Sequence, residues 1–449
     1  MPPGRILASP VPTLAAALVA CAAAAAAAPP VLDADAEALC AAVDPKVVDW
    51  RRDFHQHPEL SNREVRTAAR VAEHLQGLGI EVQTGVAHTG VVGILRGGRP
   101  GPVIALRADM DALPVSERSD LPFASRETAT YEGREVGVMH ACGHDAHVAI
   151  LMGTAEVLAA MRESLPGTVK FLFQPAEEGA PRGEEGGAEM MVKEGVLRDP
   201  DVEAAFALHI DALSEVGTLG YRPGGIWASV DDFRILVKGR QSHGAYPWMG
   251  VDPVVAAAQI ITALQTIVSR NLPLIEGAAV VTVGSIHGGV RSNIVPEEVE
   301  LIGTLRALDE GMRATIHERL RSVATGVAEG MGATVEIAVP YSSSYPVTVN
   351  DPELTAAMVP ALESVAGAER VVLIPAETGA EDFAYFAQQV PGFYFTLGAR
   401  PADVPREQAA DHHTPDFFID EGALPLGVRA MTAVALHYLQ THGGQPGAM

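Results

Sequence analysis

The stretch HACGHDAH, His140 to His147, sets three imidazoles, a thiol and a carboxylate within eight residues. By type and spacing, Cys142 and His144 are a soft and a borderline ligand that suit zinc or a neighbouring first-row metal. The same pair also fits a buried cysteine beside a helix-capping histidine. His140 stands four residues before His144, as in zinc-binding helices, but the glutamate of the HExxH arrangement is missing and that reading falls.

Other chemistry-bearing residues are scattered. PAEEG supplies paired carboxylates, Glu177 and Glu178. Neighbours in extended chain point to opposite sides, so one can coordinate a metal while the other takes a proton from water. A solvated acidic turn is the plainer alternative, and the nearby RGEEGG favours it. His209 interrupts an apolar strand in ALHI, where a satisfied core histidine is the ordinary case. His412 and His413 lie in a loop, DHHTPDFFIDE, where exposed histidines are common.

The elements that would carry these residues alternate. Helical patterns run from Asp33 and again through SNREVRTAARVAEHLQGLG, which Gly77 and Gly79 end. Short apolar runs, GVVGIL and PVIALRADM, read as buried strands, DAHVAILMGTAEVLAAM as a long helix, and GTVKFLFQPAEEG and VEAAFALHI as further strands. This alternation predicts an α/β layer with a largely parallel sheet, in which ligands collect at the carboxyl ends of strands. Asp109 and Asp111, Glu177 and Glu178, and His209 all fall at such ends in this reading. After about residue 229 the order becomes β-α-β-β-α-β over roughly a hundred residues, that of a ferredoxin-like two-layer domain. The predicted fold class is therefore α/β with two domains: a mostly parallel mixed-sheet domain over 29–228 and 341–449, and an inserted ferredoxin-like domain over 229–340.

Composition narrows the partners. The chain has 449 residues, 48% of them hydrophobic, and a net charge of −24, which repels nucleic acid and anionic membranes. Its first 28 residues form a signal- or lipoprotein-like leader. The uncharged run Leu14–Ala28 is short of the roughly 20 residues of a membrane span and reads as an export signal. LVAC within it marks Cys21 for possible lipidation. Export to the periplasm or beyond would leave Cys40 and Cys142, too few for a disulfide framework, and a free thiol in an oxidising compartment suggests a metal ligand.

Ten ordered motifs, from RRDFHQHPELSNRE through LRADMDALPV, MHACGHDAH, FLFQPAEEG, ALHI, SHGAYPWMGVDPV, GGVRSNIVPEEVEL, GTLRALD and TGAEDFAYF to HHTPDFFIDE, give the chain a clear likeness. It resembles the amidohydrolase branch of the metal-dependent aminoacylase/carboxypeptidase family, across nearly the whole span from Val48 to Glu421. The resemblance implies a catalytic α/β domain with an inserted lid that also dimerises. It implies two divalent metal ions, zinc foremost with manganese, cobalt or nickel as alternatives, held by Cys142, His144, Glu178, His209 and His413. His413 is chosen over His412 because the family's histidine directly precedes the Ser/Thr-Pro step. Glu177 resembles the general base, His243 an oxyanion donor reaching across a dimer, and Asn293 a contact for the substrate's carboxylate end. Asp109 or Asp111 would orient a ligand histidine.

The expected function is hydrolysis of the amide bond of N-acyl-amino acids or small peptides by metal-activated water, with an exported carboxypeptidase or dipeptidase of the same fold as the alternative. A binding protein that has kept the fold is the reading from another class, and Glu177 speaks against it, because a binder needs no base beside its ligands.

Overall fold

The computed structural model describes residues 31–342 and 344–443; the leader over 1–28, with Cys21, lies outside the described residues. Three helices build one wall of the first unit. Ala34–Gln56 starts on the Asp33 side chain, which accepts the Ala36 N–H at 2.9 Å. His144–Ala160 is apolar almost all round and buried along most of its length, packed between Ala34–Gln56 and Leu424–His442.

These helices cover one face of an eight-stranded mixed sheet. Across it the strands run Glu81–Val86, Gly90–Arg96, Pro166–Gln174, Arg99–Asp109, Ala204–Glu215, Gly392–Arg400, Leu219–Tyr221 and Val371–Leu373. The four central strands, Pro166–Gln174 to Gly392–Arg400, are mutually parallel. Apolar side chains cover the second face too, among them Leu172, Met191, Phe386 and Tyr394. Burial on both faces explains why these strands read as unbroken apolar runs. One expectation needs correcting. The strand carrying His209 does not end there but continues to Glu215, with His209 paired to Thr396 of the neighbouring strand. The imidazole therefore projects from within the sheet, where register sets its position.

The second unit has its own core of Phe233, Ile235, Ile260, Leu264, Leu301, Ile316 and Leu320. Its antiparallel sheet is ordered Ala279–Gly288, Glu298–Ala307, Ser229–Lys238, Thr334–Ala338, with Ser344–Tyr345 also paired to Ser229–Lys238. Helices Pro253–Asn271 and Glu310–Gly330 pack against one another and onto this sheet. Pro253–Asn271 is the one helix among the described residues long and apolar enough to cross a membrane. It turns Ala256, Ile260, Leu264 and Ile267 into the second core instead.

At Gly303 the central strands of the second unit come close. A Cβ there would stand 2.1 Å from the Thr282 carbonyl oxygen and 2.4 Å from the Phe233 ring. Gly303→Ala should therefore destabilise the second unit by about 1–3 kcal/mol, read as a lower midpoint in thermal or denaturant unfolding.

Candidate metal centre

At the carboxyl ends of the central strands, five side chains from distant segments converge. Cys142 comes from the loop leading into helix His144–Ala160, and His144 is the first residue of that helix. Cys142 Sγ lies 3.5 Å from His209 Nε2 and 3.3 Å from His413 Nε2, and His413 Nε2 lies 3.1 Å from Glu178 Oε1. Two ligand-like groups result, Cys142–His144–His209 and Cys142–Glu178–His413, with the sulfur common to both. Each group supplies three donors, the number that leaves room for water or substrate on a catalytic ion.

The imidazoles are prepared for a cation by their outer nitrogens. His144 Nδ1 donates to the Asp111 carbonyl at 2.8 Å and His209 Nδ1 to the Ile210 carbonyl at 2.6 Å, so both Nε2 lone pairs face the centre. His144 Nε2 is buried and has no hydrogen-bond partner. Burial opposes a charge on this ring, but Asp109 and Asp111 outweigh it and push the imidazole up to about 10. A proton on Nε2 would have no hydrogen-bond acceptor, whereas a divalent ion there would meet this nitrogen together with Cys142 Sγ and His209 Nε2. Burial pushes the Cys142 thiol well above its ordinary range, and Glu178 and Glu177 add to the effect. A thiolate therefore exists here only with a cation beside it. On donor set and orientation, the residues fit a pair of divalent ions.

Asp111, fully buried, organises the surroundings. Its Oδ1 accepts the Glu177 N–H at 3.1 Å and its Oδ2 the Glu178 N–H at 3.0 Å, while Ser61 Oγ donates to Oδ2 at 2.7 Å. Of the two aspartates expected behind a ligand histidine, Asp111 stands behind His144. Asp109 instead binds His147, whose Nδ1 donates to Oδ1 at 2.6 Å and whose Nε2 accepts the Ile210 N–H at 2.8 Å. His147 thus positions the strand beside His209. From helix Ala34–Gln56, Arg51 and His55 each reach the Asp145 carboxylate at 2.8 Å, one residue beyond His144.

Glu177 stands beside both groups and belongs to neither Cys142 triad, with Oε2 3.9 Å from His144 Nε2. Burial raises its pKa well above the usual carboxylate range, helped by Glu381, Glu178 and Asp382 and opposed by Arg107. Sequence reasoning missed that last group altogether. Arg107, wholly buried, bonds Asp109 at 2.7 Å, Glu381 at 2.9 Å and Asp382 at 3.0 Å, and so ties two motifs together under the centre. An arginine inside an apolar strand was the available signal.

His413 takes a left-handed backbone, φ 62°, and its N–H bonds the Ala141 carbonyl at 2.8 Å, which turns the ring onto Cys142. His412 points the other way: its Nε2 accepts the Ala212 N–H at 3.2 Å and its ring meets the His209 ring at 5.4 Å. His140 is buried with both ring nitrogens unpartnered and joins neither triad. A cavity of about 270 Å³ opens on the centre, walled further by Leu213, Trp227, Glu377, Thr396, Arg406 and Asp411. His243 and Asn293 do not line it. They sit on the second unit, both exposed, where His243 pairs with Ile294 and the Gly244 N–H bonds the Asn293 carbonyl at 2.8 Å.

Residues 105–437 match the model of Peptidase family M20/M25/M40. Thermostable carboxypeptidase 2 of Saccharolobus solfataricus is 39% identical over 88% of this chain and 96% of its own. N-acetylcysteine deacetylase of Bacillus subtilis is 37% identical over 88% of this chain and 97% of its own. The crystal structure of a Bacillus subtilis protein described as a dinuclear metal binding peptidase superposes with a TM-score of 0.75 at 36% identity, covering 89% of this chain and 99% of that one.

Because the sulfur is common to both triads, Cys142→Ser is expected to lower the content of both ions after dialysis, whereas His209→Ala loses one first; elemental analysis reads the difference. Binding must displace the thiol and His144 protons, both held above their ordinary values, so apparent affinity should rise with pH through the neutral range and keep rising towards about pH 10, measured by competition with a chelator.

Proposed function

The chain belongs to peptidase family M20/M25/M40 and is a hydrolase of amide or peptide bonds; from that premise we propose that it cleaves N-acyl-amino acids or small peptides with two divalent ions and Glu177 as general base. The ions would be held by Cys142, His144 and His209 on one side and Cys142, Glu178 and His413 on the other. One observation carries this reading: a buried carboxylate, Glu177, stands 3.9 Å from a ligand nitrogen and outside both Cys142 triads. Zinc suits the thiolate best, with manganese, cobalt or nickel as alternatives.

When bound, the two cations polarise the scissile carbonyl and lower the pKa of a water. Glu177 takes a proton from that water and then delivers it to the departing nitrogen, which is too basic to leave unprotonated. Asp111 holds the base and His144 in register through its bonds to both.

The second unit is read as a ferredoxin-like lid that also dimerises. Its strand order and two-layer packing support the fold, and an open edge strand, Ala279–Gly288, supports association. Ile275 and Ile286, 97% and 57% exposed, lie near that edge. In a homodimer His243 and Asn293 would enter the cavity of the other copy. His243 Nδ1 accepts the Ala245 N–H at 3.0 Å, which leaves Nε2–H to donate to a developing oxyanion. The leader supports export, with lipidation at Cys21 as a variant of it. A carboxypeptidase or dipeptidase activity is the second reading, and the 39% identical Saccharolobus carboxypeptidase supports it. A non-catalytic binder is disfavoured by Glu177.

Metal-stripped protein, reloaded with each ion in turn, would be offered N-acetyl and N-benzoyl amino acids and dipeptides. Hydrolysis of at least one class is expected, and Glu177→Gln should cost about 10²–10⁴-fold in kcat with both ions retained. Failure of every ion to support cleavage would favour the binder. Mixing inactive His243→Ala and Glu177→Gln proteins should restore part of the activity if His243 acts across a dimer; no restoration would argue that it acts within one chain or not at all.

A further inference from the structure

The loop that presents Glu177 is held from two sides. From the first unit, Asp111 accepts the N–H groups of Glu177 and Glu178, and buried Glu64 accepts the Ala176 N–H at 2.9 Å. Ala176 itself sits at φ +53°, a conformation a non-glycine residue keeps only when its neighbours enforce it. From the other side comes Tyr345, whose hydroxyl donates to the Glu177 carbonyl at 2.9 Å.

Tyr345 is attached to the second unit. It pairs with Val230, and Ser344 with Asp231, at the start of strand Ser229–Lys238. Ser344 Oγ donates to Asp231 at 2.8 Å and accepts from Arg313, a residue of helix Glu310–Gly330, at 2.8 Å. Arg313 also grips Asp231 through two nitrogens, at 2.7 and 2.8 Å. Tyr385, shortly after Glu381 and Asp382, donates to the Ser344 carbonyl and sets its ring edge-on to Tyr345, 6.2 Å between centroids. A chain of contacts thus runs from a helix of the second unit, by hydrogen bonds to Ser344, along the peptide to Tyr345 and by its hydroxyl to the backbone of the carboxylate read as the base.

We propose that Tyr345 is a positioning residue for Glu177, and that through Ser344 and Arg313 it makes the placement of that carboxylate depend on how the second unit is seated. The inference rests on Glu177 being the base. A displacement of about 1 Å at a reacting group costs up to roughly a hundredfold in rate, so one peptide's rotation matters. The hydrogen bond of the Tyr345 hydroxyl goes to the Glu177 carbonyl and not to a candidate ligand atom, so its effect is argued through the Glu177 peptide.

The test uses the full-length, metal-loaded enzyme and whichever substrate it cleaves. Tyr345→Phe should lower kcat about tenfold with KM within about twofold. Ion content and melting temperature should not change. The same substitution in a Glu177→Gln background should cost nothing further, because the group it positions is gone. Arg313→Gln should lower kcat in the wild-type background and add little to Tyr345→Phe. Full kcat in Tyr345→Phe, a loss that persists in the Glu177→Gln background, a loss confined to KM, or additive effects with Arg313→Gln would each overturn the proposal. If Glu177→Gln itself keeps full kcat, the reading of the base fails instead, so the two failures are told apart.

Discussion

One buried carboxylate carries most of the order at the centre. Asp111 has two oxygens and no access to solvent, and it meets the Ser61 hydroxyl, two consecutive backbone N–H groups and, at 3.3 Å, His144 Nδ1. Burial alone would push this acid up, but those donors and the His144 ring hold its pKa below the usual carboxylate range. The consequence is geometric. A ligand imidazole, through the Asp111 carbonyl, and the Glu177–Glu178 peptide, through the Asp111 carboxylate, are thus referred to one residue although they come from segments 33 residues apart.

Around that anchor the protein gathers more negative charge than it neutralises. Asp109, Asp111, Glu177, Glu178, Glu381 and Asp382 cluster at the strand ends, and Arg107 supplies one fixed positive charge among them. Buried charges without partners are costly, so such a constellation is stable only with further cations or with protons on some of its acids. Both responses are visible. Asp382 is pushed up to about 8, by burial first and by Glu381 as well, against the pull of Arg107. The ligand set, meanwhile, turns the buried His144 Nε2 toward the other candidate ligand atoms with no hydrogen-bond partner of its own.

The division into two units suits this chemistry. The first unit supplies all five candidate ligands: His209 from a strand of the central sheet, and the others from the loops and the helix start beside the strand ends. The second unit has a separate core, and Tyr345, paired to its first strand, reaches the carbonyl of Glu177 through its hydroxyl. His243 and Asn293, which motif likeness put at the centre, stand side by side on its exposed ladder.

The residue types and the order of elements were legible in the sequence, because both are written locally. Helix His144–Ala160 follows from an uninterrupted apolar run, the parallel strands from short apolar runs between polar turns, and the ligand chemistry from a cysteine and a histidine two apart. That neighbouring Glu177 and Glu178 side chains diverge was likewise readable, whereas which role each takes was implied only by the motif likeness. What the sequence could not decide was which oxygen, ring face or carbonyl each of these meets. His209 lies mid-strand because sheet register, set by pairing with a strand nearly two hundred residues later, determines its height. His413 rather than His412 faces the sulfur because a left-handed backbone turns it there. Arg107 finds Glu381 and Asp382, and Tyr345 finds Glu177, only once the chain has folded back over long separations. Local propensity acts over a few residues, whereas these contacts depend on where whole strands come to rest, and so only the tertiary structure could decide them.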